Sequence, residues 1–270
     1  MTEPNRAWYE RPAAVREYSA IGHLEPPEEA LLDLLRPSLG TARMLDVGVG
    51  AGRTTLHFAP LVREYVGVDY SAPLVEACRR RFEQRPGLSF EFADARTMPM
   101  LADGHFDLVL FSVNGIDCLD HRGRLEALGE IARVCRPGAL FLFSSHSLDA
   151  IHKALSVRSR VAELYRTRSM GQFVPALARR LPEQLLKRAA NPSATRLLAR
   201  DWAWISKLWP PFAPQMTYHV KPAEARRQVE HAGFVVDGIV LPSGATVPVD
   251  SCRGRRDELW LNYLCRRIDR

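Results

Sequence analysis

Short apolar runs alternate along the chain with longer stretches in which apolar residues recur every three or four positions. This is the pattern of buried strands interleaved with amphipathic helices. Met44-Leu45-Asp46-Val47, Tyr65-Val66-Gly67-Val68-Asp69, Leu88 to Ala93, Phe106 to Ser112 and Ala139 to Phe143 read as five strands. Helices are expected between them, from Arg53 to Leu61, over 73–84 and over 121–135. An earlier helix starts at Pro26-Pro27-Glu28-Glu29, where proline fits the first turn and acids favour the positive end of the helix dipole. Pro37 and Gly40 are expected to stop it near Leu35. The chain closes with a helix over 221–232 and strands over 234–241 and 258–266. No helix separates those last two, which predicts an antiparallel pair at one sheet edge.

Strands alternating with helices imply an α/β fold: a doubly wound, Rossmann-like, mostly parallel sheet of seven strands with an antiparallel edge strand. Residues 147–216 break the alternation. They read as mainly helical, are interrupted by Pro175, Pro182, Pro192, Pro210 and Pro211, and are too long for a connecting loop, so a helical cap insertion is expected there. The resulting organisation is an N-terminal helical segment (1–40), a ligand-binding core (41–146), the cap (147–216) and a C-terminal return to the sheet (217–270).

Composition changes the picture in one place. The 270 residues carry a net charge of +6, yet residues 151–200 alone hold eleven Lys and Arg against Glu163 and Glu183. Such a segment suits nucleic acid, an acidic membrane surface or an anionic substrate, or is a solvated helical face. The five cysteines (Cys78, Cys118, Cys135, Cys252, Cys265) form no Cys-x-x-Cys pair, so neither a structural zinc nor a disulfide framework is expected. No apolar run is long enough to span a membrane, and Met1 to Arg16 has no apolar signal core, so a cytoplasmic location is expected.

The candidate chemistry sits at the first strand–helix junction. Gly48-Val49-Gly50-Ala51-Gly52 follows a strand and opens a helix, a placement that lets a ligand approach the backbone closely. Asp69 ends the next strand, where a carboxylate can accept from both hydroxyls of a ribose. A dinucleotide or an adenosyl sulfonium ligand would fit. The dinucleotide fingerprint requires glycine at its sixth position, and here that position is Arg53. Asp46 before the turn suits a ligand that carries an α-amino group.

Leu45-Asp46-Val47-Gly48-Val49-Gly50-Ala51-Gly52-Arg53 resembles the first motif of class I S-adenosylmethionine-dependent methyltransferases, with Val49 where cysteine is common. Val66-Gly67-Val68-Asp69-Tyr70-Ser71, Phe92-Ala93-Asp94-Ala95, Phe106-Asp107-Leu108-Val109-Leu110 and the stretch Ile131 to Ala139 resemble the motifs that follow, in order, across residues 40–146. The resemblance implies cofactor roles for each matching position. Gly48, Gly50 and Gly52 would line the methionine part and Asp46 would orient its ammonium. Asp69 would hold the ribose diol, with Tyr70 packing on adenine. Asp94 and the Ala95 amide would meet the adenine edge, and Ser112 would lie near the methyl. Tyr18 belongs to a segment that relatives fold over the cofactor.

Methyl transfer is an in-line displacement that needs positioning and exclusion of water, and a base only where the nucleophile must lose a proton. His146, after the fifth strand, is the candidate base, and Asn114 is a candidate for contact at the transfer point. Asn114, Asp117, Tyr218 and His219 are the candidate substrate residues, and Trp202, Trp204, Trp209 and Phe212 add an aromatic-rich cap. No second carboxylate clusters with Asp117, so no metal is expected. The expected acceptor is a small molecule. RNA or DNA methylation through the basic segment, or S-adenosylmethionine binding without catalysis, are the alternatives. The run Ser112-Val113-Asn114-Gly115 lacks the Pro-Pro of amino-group nucleic-acid methyltransferases.

Overall fold

Alternation along each strand sorts the sheet residues onto two faces. Leu45, Val109, Phe111, Phe141 and Phe143 fall into one buried cluster, and Met44, Leu108, Leu110 and Leu142 into another. The computed structural model describes residues 3–207, 215–241, 243–256 and 258–269. In chain order the elements are α1 (Glu3–Tyr9), α2 (Pro12–Ala20), α3 (Pro26–Leu39), β1 (Arg43–Val47), α4 (Thr55–Phe58), β2 (Glu64–Asp69), α5 (Ala72–Arg81), β3 (Leu88–Phe92), β4 (Phe106–Phe111), α6 (His121–Val134) and β5 (Cys135–Ser147). The cap follows with α7 (Ile151–Leu155), α8 (Val157–Thr167), α9 (Met170–Ala190), α10 (Ala194–Leu198), β6 (Trp202–Lys207) and β7 (Gln215–Val220). The chain returns to the sheet through α11 (Pro222–His231), β8 (Phe234–Val240), β9 (Thr246–Val247) and β10 (Trp260–Arg267).

The strands order as β3-β2-β1-β4-β5-β10-β8-β9, with β7 added beside β5 and β6 beside β7. β1 to β5 are mutually parallel. The first seven strands of this order form the expected doubly wound core, with α6 and α11 on one face and α3 and α5 on the other. The antiparallel strand does not lie at the edge. β10 slots between β5 and β8, antiparallel to both, where its two rows of backbone groups are paired and the edge passes to β8 and two-residue β9.

Three further expectations are corrected. α3 runs past Pro37 to Leu39, because a proline in the last turn removes few helical hydrogen bonds. α9 runs through Pro175 and Pro182, whose rings lie on its exposed side, where the carbonyls they leave unbonded can meet water. The cap is helical only to Leu198, and residues 202–207 and 215–220 form an antiparallel strand pair instead. The period there is two: Ala203 and Ile205 are buried with Leu148, Ile151 and Leu155, while Trp202 and Trp204 pack on the opposite side against the main core. Trp209, Phe212, Pro210 and Pro211 lie outside the described residues.

Candidate functional site

β1 and β2 deliver their last residues to one end of the sheet, and the glycine turn lies across it. Gly48 and Val49 donate to the Val68 carbonyl at 2.8 and 3.0 Å, locking the turn to the neighbouring strand. Gly50 adopts φ +58°, and a side chain built there would meet nothing within 4 Å, so its backbone faces open space. Its N–H donates to Asp69 Oδ2 at 2.9 Å, and Ser71 N–H donates to Oδ1 at 2.9 Å. Burial pushes Asp69 up to about 6, against the pull of those backbone N–H groups.

A cavity opens beside this carboxylate, lined among others by Gly48, Gly50, Asp69, Tyr70, Ala95 and Ser112. Tyr9 and Tyr18, brought over from α1 and α2, line it too, with ring centroids 5.7 Å apart, and Tyr9 meets Tyr70 edge-on at 6.1 Å. Asp94 also lines it, with Oδ1 accepting from Arg96 N and Nε and Oδ2 from Arg96 Nη2 at 2.7 Å. Burial acts upward on Asp94, but the Arg96 hydrogen bonds hold it below its ordinary value. Asn5 fixes α1 in place. Its Nδ2 donates to the Met216 carbonyl at 2.8 Å, and its Oδ1 accepts from Met216 N–H at 2.9 Å.

Two of the candidate cofactor residues, Asp46 and Gly52, do not line the cavity. Asp46 is buried below the turn, where Tyr65 Oη donates to it at 2.6 Å and Thr54 Oγ1 makes a second short bond. Burial raises it to about 6 against those two hydrogen bonds. Gly52 faces α5, where an added Cβ would sit 2.4 Å from Phe82 and 2.9 Å from Cys78 Sγ. Its glycine answers to this packing and to a left-handed backbone, φ +80°, rather than to a ligand. Gly52→Ala is expected to cost about 1–3 kcal/mol of stability in denaturant titration while leaving cofactor affinity unchanged, since overpacking strains the core without touching the cavity.

Residues 44–138 match the protein family described as "Methyltransferase domain". The chain carries a class I S-adenosylmethionine-dependent methyltransferase domain. The domain is 35% identical over 107 residues to an uncharacterized methyltransferase, YcgJ, of Bacillus subtilis, covering 38% of this chain and 40% of that protein. It is 35% identical over 124 residues to an O-methyltransferase of Pyrenophora dematioidea, covering 44% of each. The chain thus spans less than half the length of these two curated relatives. A solved S-adenosylmethionine-dependent methyltransferase of Clostridium acetobutylicum superposes on 97% of both chains with a TM-score of 0.62 at 12% identity, which speaks for the fold.

The methyltransferase domain's cofactor is S-adenosylmethionine, and the cavity fits it. Each Asp69 oxygen has taken one N–H and keeps a lone pair for a ribose hydroxyl. The buried Tyr70 hydroxyl has no hydrogen-bond partner among the described residues. The three tyrosine rings offer an aromatic wall to adenine and a cation.

Beside the cavity's Ser112 end lies a second cluster. Val113 and Asn114 adopt φ +48° and +58°, and positive φ is uncommon for a β-branched residue and a pointer to function. The Asn114 N–H donates to Ser144 Oγ at 2.7 Å, while its buried Oδ1 has no partner among the described residues. The following turn, 115–118, puts Gly115 and Cys118 on the cavity, and Asp117 points elsewhere. Asp117 is fully buried, as is Arg124. Arg124 Nη1 (2.6 Å) and Ser145 Oγ (2.7 Å) donate to Asp117 Oδ1; His146 N–H and Nδ1–H donate to Oδ2, each at 2.7 Å. Both oxygens are thus committed, so Asp117 is a support for His146 and not a substrate contact.

Tyr218 is also corrected. It is buried in the core, bonded to His121 Nδ1 at 2.7 Å and to Gln228 Nε2 at 3.0 Å, with the Arg124 guanidinium 4.9 Å over its ring. His219, next to it on β7, faces the other way, its ring 4.7 Å from that of His146. Successive strand residues point to opposite faces, so the two cannot share one pocket. Among the described residues no group of three or more His, Cys, Asp or Glu is placed to hold a metal ion.

Tyr9, Asn5, Arg124 and the pair Arg53–Glu28 belong to the site without having been expected there from the sequence. Arg53, read in the sequence only as a departure from a dinucleotide pattern, donates through Nη2 to Glu28 at 2.7 Å and to Ser112 Oγ at 2.9 Å. It ties α3 to the end of β4.

Proposed function

We propose that the chain transfers a methyl group from S-adenosylmethionine to a small-molecule acceptor, with His146 as general base and Asp117 as its positioning residue. When bound, the cofactor supplies a carbon already activated toward displacement by positive sulfur. The chain's own tasks are then to hold the adenosyl group, exclude water and take a proton from the acceptor.

One observation carries the reading: the turn that lines the cavity through Gly115 and Cys118 also holds His146 through Asp117. A carboxylate only accepts, so the imidazole must donate through Nδ1, and Nε2 is left as the basic nitrogen. Two hydrogen bonds from His146 to one oxygen, and a buried arginine on the other, fix the ring's orientation. The kinship with an O-methyltransferase of Pyrenophora dematioidea supports an oxygen nucleophile, which must lose a proton.

His146→Ala is expected to lower turnover about 100-fold or more, the scale of general-base catalysis. Affinity for S-adenosylhomocysteine should stay within about twofold by calorimetry, since His146 is outside the cavity lining. Unchanged turnover across a panel of hydroxyl, amine and carbon acceptors removes His146 as the base.

A further inference from the structure

Helix α9 is 21 residues long, yet it buries only Gln184 among its described side chains. Met170, Val174, Ala178, Pro182, Leu185 and Leu186 follow one face of it, and all are exposed. The largest are far from covered: Met170 is 70% exposed, Val174 62% and Leu185 51%. At 1.5 Å per residue this face, from Met170 to Leu186, extends roughly 24 Å. An apolar strip of that length is unusual on a soluble surface and marks a binding face.

The charge around the strip selects the partner. Arg158, Arg166 and Arg168 on and after α8, with Arg179 and Arg188 on α9, are exposed and make no ion pair among the described residues. The segment's two acids, Glu163 and Glu183, are already paired with Arg160 and Arg180 on their own helices. At the far end of α9, Arg188 joins Lys153, Arg256, Ser156 and Ser193 in lining a cleft that has no acid among its described lining residues. Apolar side chains flanked by unneutralised arginines, next to a cationic cleft that suits a phosphate, match an anionic phospholipid surface. A second copy of this face would set arginine against arginine. A nucleic acid would leave the apolar strip uncovered.

We infer that the α8–α9 hairpin docks this protein on anionic phospholipid membranes, with the apolar face of α9 in the interface and the cleft at Arg188 taking a lipid phosphate. No helix among the described residues is long and apolar enough to cross a membrane, so the association is one of lying on the surface. The inference does not depend on the acceptor or on His146.

Flotation of the full chain with vesicles tests it. Binding is expected to be about tenfold or more stronger to vesicles containing a quarter phosphatidylglycerol than to phosphatidylcholine alone, and to fall as salt rises from about 0.1 M to about 0.5 M. The double variant Val174→Glu/Leu185→Glu should abolish flotation while its melting curve overlays the parent's, because both side chains already face solvent. Arg179→Gln and Arg188→Gln should each weaken binding roughly fivefold. Absence of flotation, or equal binding to neutral vesicles, overturns the inference. So does a concentration-dependent dimer in light scattering that Leu185→Glu dissolves, which would give the face to a second copy.

Discussion

Asp117→Ala is expected to lower the free energy of unfolding by about 3–5 kcal/mol, the cost of stranding a buried charge. The stranded group is Arg124, which is fully buried and whose Nη2 already lacks a partner among the described residues. Its remaining support would be Gln228 Oε1 at 2.9 Å and the Tyr218 ring. In a chain of this size the thermal midpoint should drop by on the order of 10 °C. The paired replacement Asp117→Leu/Arg124→Met should recover most of that loss, because a buried ion pair contributes little beyond what well-packed apolar side chains give. It should not recover turnover, because His146 would lose the acceptor that holds Nδ1. A single variant within about 1 kcal/mol of the parent in urea titration would show that water reaches Arg124 and that the network is not a closed one.

The second large effect falls on cofactor affinity. Asp69→Ala is expected to weaken binding of S-adenosylhomocysteine by about 2 kcal/mol or more, roughly 30-fold, as one charged acceptor of two hydrogen bonds is removed. The pH dependence follows from the raised value of Asp69, about 6, which burial causes. Only the carboxylate accepts from both hydroxyls, so affinity should be full above that value and decline up to tenfold per pH unit below it. Stability responds with the opposite sign. A group whose folded value lies above its unfolded one favours the folded state as pH falls from about 6 toward about 4. Asp46, also near 6, shares that stability effect but does not line the cavity. Asp69→Asn should therefore flatten the affinity profile, whereas Asp46→Asn should leave its midpoint in place. A profile that keeps its midpoint near 6 in Asp69→Asn would assign the titration to another group.

What the sequence discloses depends on how local the cause is. β1, β2, β4 and β5 are buried on both faces, so their near-continuous apolar runs are legible without any knowledge of neighbours. The glycine turn and Asp69 are fixed by their place at strand ends, which is also a local fact. Asp117 was visible as a carboxylate after β4, but its partner Arg124 is known only once the following turn and α6 are folded together. Trp202-Ala203-Trp204-Ile205 carried a period of two that the surrounding prolines and helical context outweighed. Tyr9 and Asn5 carry no signal in the sequence, because what places them on the site, Tyr70 for the one and Met216 for the other, lies far along the chain.

The clasp between Asn5 and Met216 joins residues 211 positions apart. During synthesis the glycine turn and Asp69 leave the ribosome early, whereas the strand that seats the first helix arrives only after the whole basic hairpin has been made. A nascent chain offered adenosyl ligand thus meets Tyr9 anchored only through Cys118, whose carbonyl accepts from Asn5 Nδ2 at 3.3 Å and whose thiol lies 3.7 Å from the tyrosine hydroxyl, and the second anchor closes in the final third of translation.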